Sequence, residues 1–175
     1  MHGEQLWAPW RAAYLRDLKQ KADAAGKPVP SIENFLAAYW DAPDEDEQNL
    51  VVHRDGHGMI LLNRFPYSCG HLLVALGNPH PLLLDYDAAQ RLAFWQLMEL
   101  AMALVRKTLS PQGINLGINE GAAAGAGLPE HLHGHLVPRW SGDTNFITVA
   151  GDVRVIPDSL EHMASEYRQQ LPSLL

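Results

Sequence analysis

The sequence predicts an α+β fold, on three observations. Short apolar runs bounded by Gly, Pro and Asp-Gly recur between residues 49 and 76 and again between 113 and 139, as strands do. One long stretch of helical spacing, Asp87 to Leu109, separates the two groups, and a second helical segment runs from Asp158 to Gln170. With 175 residues, 47% of them hydrophobic, the chain can bury a proper core. The organisation expected is a single domain over 1–175, with an N-terminal arm and helix in 1–30, the catalytic core in 49–140 and a C-terminal extension in 141–175.

Taken in order, Leu6 to Leu15 opens with an aromatic, apolar cluster and passes into helical composition that runs to about Ala25 and stops at Gly26-Lys27-Pro28. This reads as an arm packed on the core or on a second subunit, unless one of its tryptophans borders a ligand pocket. Ser31 to Trp40 is a short apolar stretch, and Asp41 to Glu47 is an acidic run without periodicity, expected to be a solvated loop. Asn49–His53 and Gly58–Asn63 form a hairpin across Arg54-Asp55-Gly56-His57, whose Asp-Gly pair favours the turn. Arg64 to Gly70 turns again, and His71 opens the apolar strand that ends at Leu76.

Asp87-x-x-Gln90 reads as a capping box. Leu92, Trp95, Met98, Met102, Val105 and Leu109 follow at helical spacing, which assigns the tryptophan and methionines to the core. Beyond Gly113, Ile114, Leu116 and Ile118 alternate with Asn115, Gly117 and Asn119, a half-buried strand. A loop of small residues, Glu120 to Leu128, leads into Pro129 to Trp140. Ser141 to Phe146 is a turn, Val149 to Ile156 a short strand, and the closing helix starts near Pro157.

A net charge of −7 excludes a protein built mainly to hold a nucleic-acid backbone, while small anions remain accessible to backbone amides and a few placed cations. The single cysteine, Cys69, excludes an intrachain disulfide and a zinc ribbon, and reads as an inert small hydrophobe in a turn. Met1 to Asp17 has no long apolar core, and no stretch approaches the roughly 20 apolar residues of a membrane span. A cytoplasmic protein without membrane partners is expected.

The chemistry concentrates in His131, His133 and His135. On an extended strand, alternate side chains leave one face, so three imidazoles point one way while Leu132, Gly134 and Leu136 pack on the other. Imidazole titrates near neutrality and can serve as nucleophile, acid or donor. It is also a common metal ligand, and a His-x-His pair suits zinc or iron, so spacing alone leaves both chemistries open. The loop Gly121 to Gly127 lacks the Lys-Ser/Thr end of a Walker A motif and the full dinucleotide glycine spacing. Directly before the histidines, its small residues would let backbone amides approach a phosphate.

The run His131-Leu132-His133-Gly134-His135-Leu136-Val137 resembles the signature of the histidine triad (HIT) superfamily, with Gly134 standing where an apolar side chain is usual. Leu6 to Arg11, Leu62 to His71, Gly113 to Asn115, Asn119 with the glycine loop, and Pro138 to Phe146 resemble the bacterial branch that includes diadenosine tetraphosphate phosphorylases and hydrolases. The resemblance implies an α+β fold with an antiparallel sheet of about five strands, one long and one C-terminal helix, and a homodimer. It implies a small-molecule nucleotide substrate, a diadenosine polyphosphate, cleaved at the α-phosphorus.

By the same resemblance His133 is the nucleophile and forms a nucleotidyl-histidine. His131 and His135 orient it and bind non-bridging oxygens, with His135 near the leaving group. His71 is a fourth histidine, Asn63 contacts ribose, and Asn119, Gly125 and Gly127 lie near the phosphates. A backbone carbonyl on the second nitrogen of His133 would fix its tautomer.

Two departures stand out. Leu128 and Pro129 occupy the place where many relatives carry Gln or Ser against the leaving group. Some relatives also bind structural zinc through Cys-x-x-Cys, a histidine resembling His80 and the first triad histidine; Ser31 to Asn34 offers no cysteine. No metal and no cofactor are therefore expected. His135, where hexose-phosphate nucleotidylyltransferases carry glutamine, favours the hydrolase and phosphorylase branches, with water or phosphate as acceptor. The rival readings are a metal-dependent hydrolase or dioxygenase with His131 and His133 as ligands, and a catalytically silent nucleotide-binding regulator.

Overall fold

Asp55 makes the first turn: its Oδ1 accepts from the backbone N–H of His57 (2.7 Å) and of Gly58 (2.9 Å), closing the hairpin of β1 (Val51–Arg54) and β2 (Gly58–Leu62). The computed structural model describes residues 34–143 and 156–175. The expected N-terminal arm and helix in 1–30, nearly all of the Val149–Ile156 strand and the end of the Ser141–Phe146 turn lie outside the described residues. Asn34–Leu175 groups as one unit, and the one-domain reading of 1–175 reaches beyond it.

Helix α1 (Phe35–Asp41) precedes β1, and β3 (Leu72–Leu76) follows β2. The long helix α2 (Ala88–Leu109) leads to β4 (Gly113–Ile118), β5 (His133–Arg139) and α3 (Leu160–Gln170). The five strands form one sheet in the order β1-β2-β3-β5-β4, every neighbouring pair antiparallel. This is the five-stranded α+β arrangement expected.

The capping box on α2 forms as read: Asp87 Oδ1 accepts from Gln90 N–H at 2.8 Å, and Gln90 Oε1 accepts from Asp87 N–H at 2.9 Å. The buried face of α2 corrects the sequence reading. Ala93, Phe94, Leu97, Met98, Ala101, Leu104 and Val105 are buried, whereas Leu92 is 60% and Trp95 40% exposed. The helix is apolar on more than one flank, so its spacing admits two stripes, and the sheet selects one. Gly134 is part of that selection: a Cβ there would lie 2.3 Å from Met98 Sδ and 3.1 Å from Phe94 Cζ. The missing side chain is the space into which α2 packs.

Helix α3 packs on α2 through Met163, Ala164 and Tyr167, completing the core on this face of the sheet. The Tyr167 hydroxyl donates to the Gly70 carbonyl at 2.7 Å. Gly70 has φ +75, and a Cβ on it would meet Leu109 Cδ1 at 2.3 Å, so only glycine makes the turn that presents His71.

The other face carries a smaller core. Leu36, with Phe35, Tyr39 and Trp40, brings α1 over Val51, Met59, Leu61, Leu73 and Ala75. The acidic run takes part and is not simply a solvated loop: Asp46 pairs with Arg54, whose guanidinium also donates to the carbonyls of Tyr39 (2.8 Å) and Trp40 (2.9 Å). One arginine thus ties the end of α1 to β1. Ala75 is paired with His133 and Leu73 with His135, so the histidines share this face and begin where the cover of α1 ends. Beyond them, Gly117 is opposite His135 and Asn115 opposite Val137.

Candidate active site

His133, the first residue of β5, is 6% exposed. Its Nδ1–H donates to the His131 carbonyl at 2.8 Å, leaving the Nε2 lone pair unprotonated. Burial pushes its pKa down and the carbonyl pushes it up; burial is the larger effect, so the ring is neutral at pH 7. The carbonyl partner expected from the sequence is in place.

His135 has the opposite tautomer, set from a distance. The Tyr67 backbone N–H donates to His71 Nδ1 at 3.1 Å, so the proton of a neutral His71 sits on Nε2. That proton faces His135 Nδ1 at 3.1 Å, which places the His135 proton on Nε2. Asn119 Nδ2 lies 3.5 Å from His135 Nε2, and a proton on Nε2 requires the amide turned over so that Oδ1 accepts. Burial, then the neighbouring His133, holds the His135 pKa down to about 4. With ring centroids 5.0 Å apart, His133 presents a lone pair and His135 an N–H. A nucleophile and a hydrogen-bond donor therefore stand side by side.

His131 departs from the single strand expected through all three histidines. β5 begins only at His133, because the N–H of Leu132 is drawn to the His80 carbonyl at 2.8 Å and that of His131 to the Leu128 carbonyl at 3.3 Å. The His131 ring is fully buried, with Nε2 2.7 Å from the Leu76 carbonyl and Nδ1 3.1 Å from Asn34 Oδ1.

On the far side of His135 the sheet face opens into a cleft of about 800 Å³, lined by His135, Asn119, Gly117, Asn115, Arg139 and Tyr67 among others. Arg139 is held there by Asp143 (2.6 and 2.7 Å) and by Asn115 Oδ1 (2.9 Å). Cys69 also lines the cleft, its thiol donating to Met163 Sδ at 3.4 Å and its pKa raised by burial, which suits the inert role read for it.

Comparison with known proteins adds to this geometry. Residues 44–142 match the family model described as HIT domain. The chain is 36% identical to the AP-4-A phosphorylase of Mycobacterium tuberculosis (strain ATCC 25618 / H37Rv), over 95% of this chain and 86% of that one.

The chain belongs to the histidine triad family.

Another relative, the bis(5'-nucleosyl)-tetraphosphatase [asymmetrical] of Schizosaccharomyces pombe, is 28% identical over 53% of this chain and 50% of its own. Among solved structures, a Zn-bound histidine triad family protein from Mycobacterium smegmatis superposes with a TM-score of 0.66 at 25% identity, covering 82% of this chain and 96% of that one.

A zinc site of the kind raised by the family resemblance, on His80, the first triad histidine and residues 31–34, does not fit the residues described here. His131 has both nitrogens directed at oxygens, His80 Nε2 lies 3.1 Å from the Asn78 amide nitrogen, and Asn34 brings an amide where zinc prefers thiolate or imidazole. Among the described residues no three His, Cys, Asp or Glu side chains converge as a metal set.

The remaining residues singled out from the sequence fall on both sides of the cluster. Asn63 faces His71: its Oδ1 accepts from Phe65 N–H at 2.9 Å and its Nδ2 lies 3.3 Å from His71 Nδ1, with one lone pair and one proton left over. In the glycine loop the amides of Ala124, Gly125 and Ala126 donate back to the carbonyls of Gly121 and Ala122, so in this conformation they are not offered to a phosphate. Gly127 borders open space. Sequence reasoning missed Asn34, the Tyr67 amide and Arg139. Arg139 and Tyr67 lie within motifs that carry the family resemblance, whereas nothing local marks Asn34.

Proposed function

We propose that this chain is a dinucleoside polyphosphate phosphorylase or hydrolase acting through a nucleotidyl-histidine. The observation that carries the reading is the hydrogen bond of His133 Nδ1 to the His131 carbonyl at 2.8 Å, which leaves the Nε2 lone pair free beside the His135 ring, itself 3.1 Å from His71 Nε2 through Nδ1. His133 Nε2 attacks the α-phosphorus, forming an N–P bond as the P–O bond to the leaving nucleotide breaks. The leaving oxygen departs on the His135 side, and the acceptor then attacks phosphorus and breaks the N–P bond. Phosphate as acceptor yields a nucleoside diphosphate, and water yields the monophosphate.

The relative named AP-4-A phosphorylase, matched over most of both chains, supports phosphate as acceptor. In this reading Asn119 contacts the phosphates, Asn63 uses its spare proton and lone pair on ribose, and His131 holds the backbone behind the nucleophile. The loop around Gly125 and Gly127 lies beside the phosphates. The enzyme works as a cytoplasmic homodimer on a small-molecule nucleotide, without nucleic-acid or membrane partners. No helix among the described residues is long and apolar enough to cross a membrane.

Denaturing the protein in alkali during turnover of diadenosine tetraphosphate should trap nucleotide in a base-stable, acid-labile bond, and peptide mapping should place it on His133. His133→Ala should abolish the adduct and lower kcat by about a thousandfold or more, since the covalent route is gone. EDTA should leave the rate unchanged. An adduct on another residue, or activity lost to EDTA and restored by a metal, would overturn the reading in favour of the metal-dependent rival. Binding of mononucleotide without any turnover would favour the silent regulator.

A further inference from the structure

The peptide group between His131 and Leu132 is held from both sides. Its carbonyl accepts from His133 Nδ1–H at 2.8 Å, and its N–H donates to the His80 carbonyl at 2.8 Å. The residue that owns the carbonyl is anchored in turn by its ring. His131 Nε2 lies 2.7 Å from the Leu76 carbonyl at the end of β3, and Nδ1 lies 3.1 Å from Asn34 Oδ1.

Asn34 is the N-cap of α1, and its Oδ1 also accepts from the Ala37 N–H at 3.0 Å. That second bond identifies the atom facing His131 as the oxygen, because a backbone N–H cannot donate to the amide nitrogen. A side chain needed only to cap α1 would have no reason to share its oxygen with a fully buried imidazole 97 residues away.

We propose that Asn34 is a positioning residue for the nucleophile: by accepting from His131 Nδ1–H it fixes the His131 ring, and with it the carbonyl that sets the tautomer of His133. The inference rests on the nucleophile reading given under Proposed function. A neutral ring carries one proton for the two oxygens, and only the imidazolium donates to both. Burial and the rings of His133 and His80 work against that charge, so the single proton of the neutral ring is assigned to Nδ1, facing Asn34. The path from Asn34 to His133 runs through one side chain and one peptide, and both are out of solvent.

Three chains test it. Asn34→Ser keeps an oxygen able to cap α1 but too short to reach His131, while Asn34→Asp keeps both contacts. Asn34→Ser should keep the thermal midpoint of the wild type within a few degrees. It should also slow formation of the His133 adduct and lower kcat about tenfold, with KM little changed, as a displaced nucleophile does. Asn34→Asp should recover most of the rate. In the wild type, ring NMR should show an exchange-protected proton on His131 Nδ1, a measurement that holds whether or not a variant folds.

Adduct formation by Asn34→Ser at the wild-type rate, an Asn34→Asp chain as slow as Asn34→Ser, or no proton on His131 Nδ1 would overturn the inference alone. A wild type that turns over without labelling His133 would overturn the nucleophile reading along with it.

Discussion

The histidine-bearing face of the sheet has a closed half and an open half, with His133 at the seam. Over β1, β2 and β3 it is covered by α1, and the polar groups there are committed to one another: Asn34 to His131, His131 to Leu76, Arg54 to Asp46 and the α1 carbonyls. Over β5 and β4 no helix among the described residues covers the same face, and Gly117, Asn115, Asn119 and Arg139 stand around the cleft beside His135. Both halves are built on one sheet. The difference lies in what covers them, so one half can hold a nucleophile rigidly while the other leaves room for what departs from it.

Substitutions should separate the halves, and the largest effect is expected in the closed one. Leu36 is fully buried between α1 and the sheet, and Leu36→Ala should lose about 2–5 kcal/mol of unfolding free energy in urea. KM should hardly move while the chain remains folded. A loss below about 1 kcal/mol would show that α1 is not a packed cover.

Acid should act on both halves together. Burial lowers the pKa of His131, His133 and His135 below the unfolded value near 6.5, so the unfolded chain binds protons more readily than the folded one. The stability they contribute is full above pH 6.5 and is lost as pH falls, down to about 4 for His135. Exposed His162, raised by Asp158, shifts the other way, but solvent screens it. Urea midpoints at pH 7.5, 6 and 5 should therefore fall in that order. A flat series would mean that the three rings reach protons as freely folded as unfolded.

The smallest effect belongs to the open half. A Cβ on Gly117 would meet nothing within 4 Å, so Gly117→Val should fold as well as the wild type, valine being at home in a strand. It should raise KM for diadenosine tetraphosphate about fivefold, on the order of 1 kcal/mol. An unchanged KM would remove the cleft from the path of the substrate.

What the sequence made legible was local. The hairpin follows from Asp55-Gly56, the start of α2 from Asp87 and Gln90 three residues apart, and the chemical cluster from three alternating histidines and His71. Partners brought together from far apart left no mark. The Asn34 bond spans 97 residues, and neither end has a pattern that names the other. The buried stripe of α2 was ambiguous because Leu92 and Trp95 are as apolar as Phe94 and Leu97, and only the face around Gly134 decides between them. The late start of β5 was hidden because alternation fits Leu132 equally well in a strand or bonded to His80.

The bond from Tyr167 to Gly70 also spans 97 residues, and it orders events during synthesis. The ribosome releases His71, His133 and His135 before it releases α3, so the Tyr167 bond to the turn ahead of His71 forms last. A nascent chain arrested ahead of α3 would carry every histidine of the cluster while missing that one bond to the turn. Its core would still expose the faces of α2 and the sheet that Met163 and Ala164 cover, a surface suited to chaperone capture.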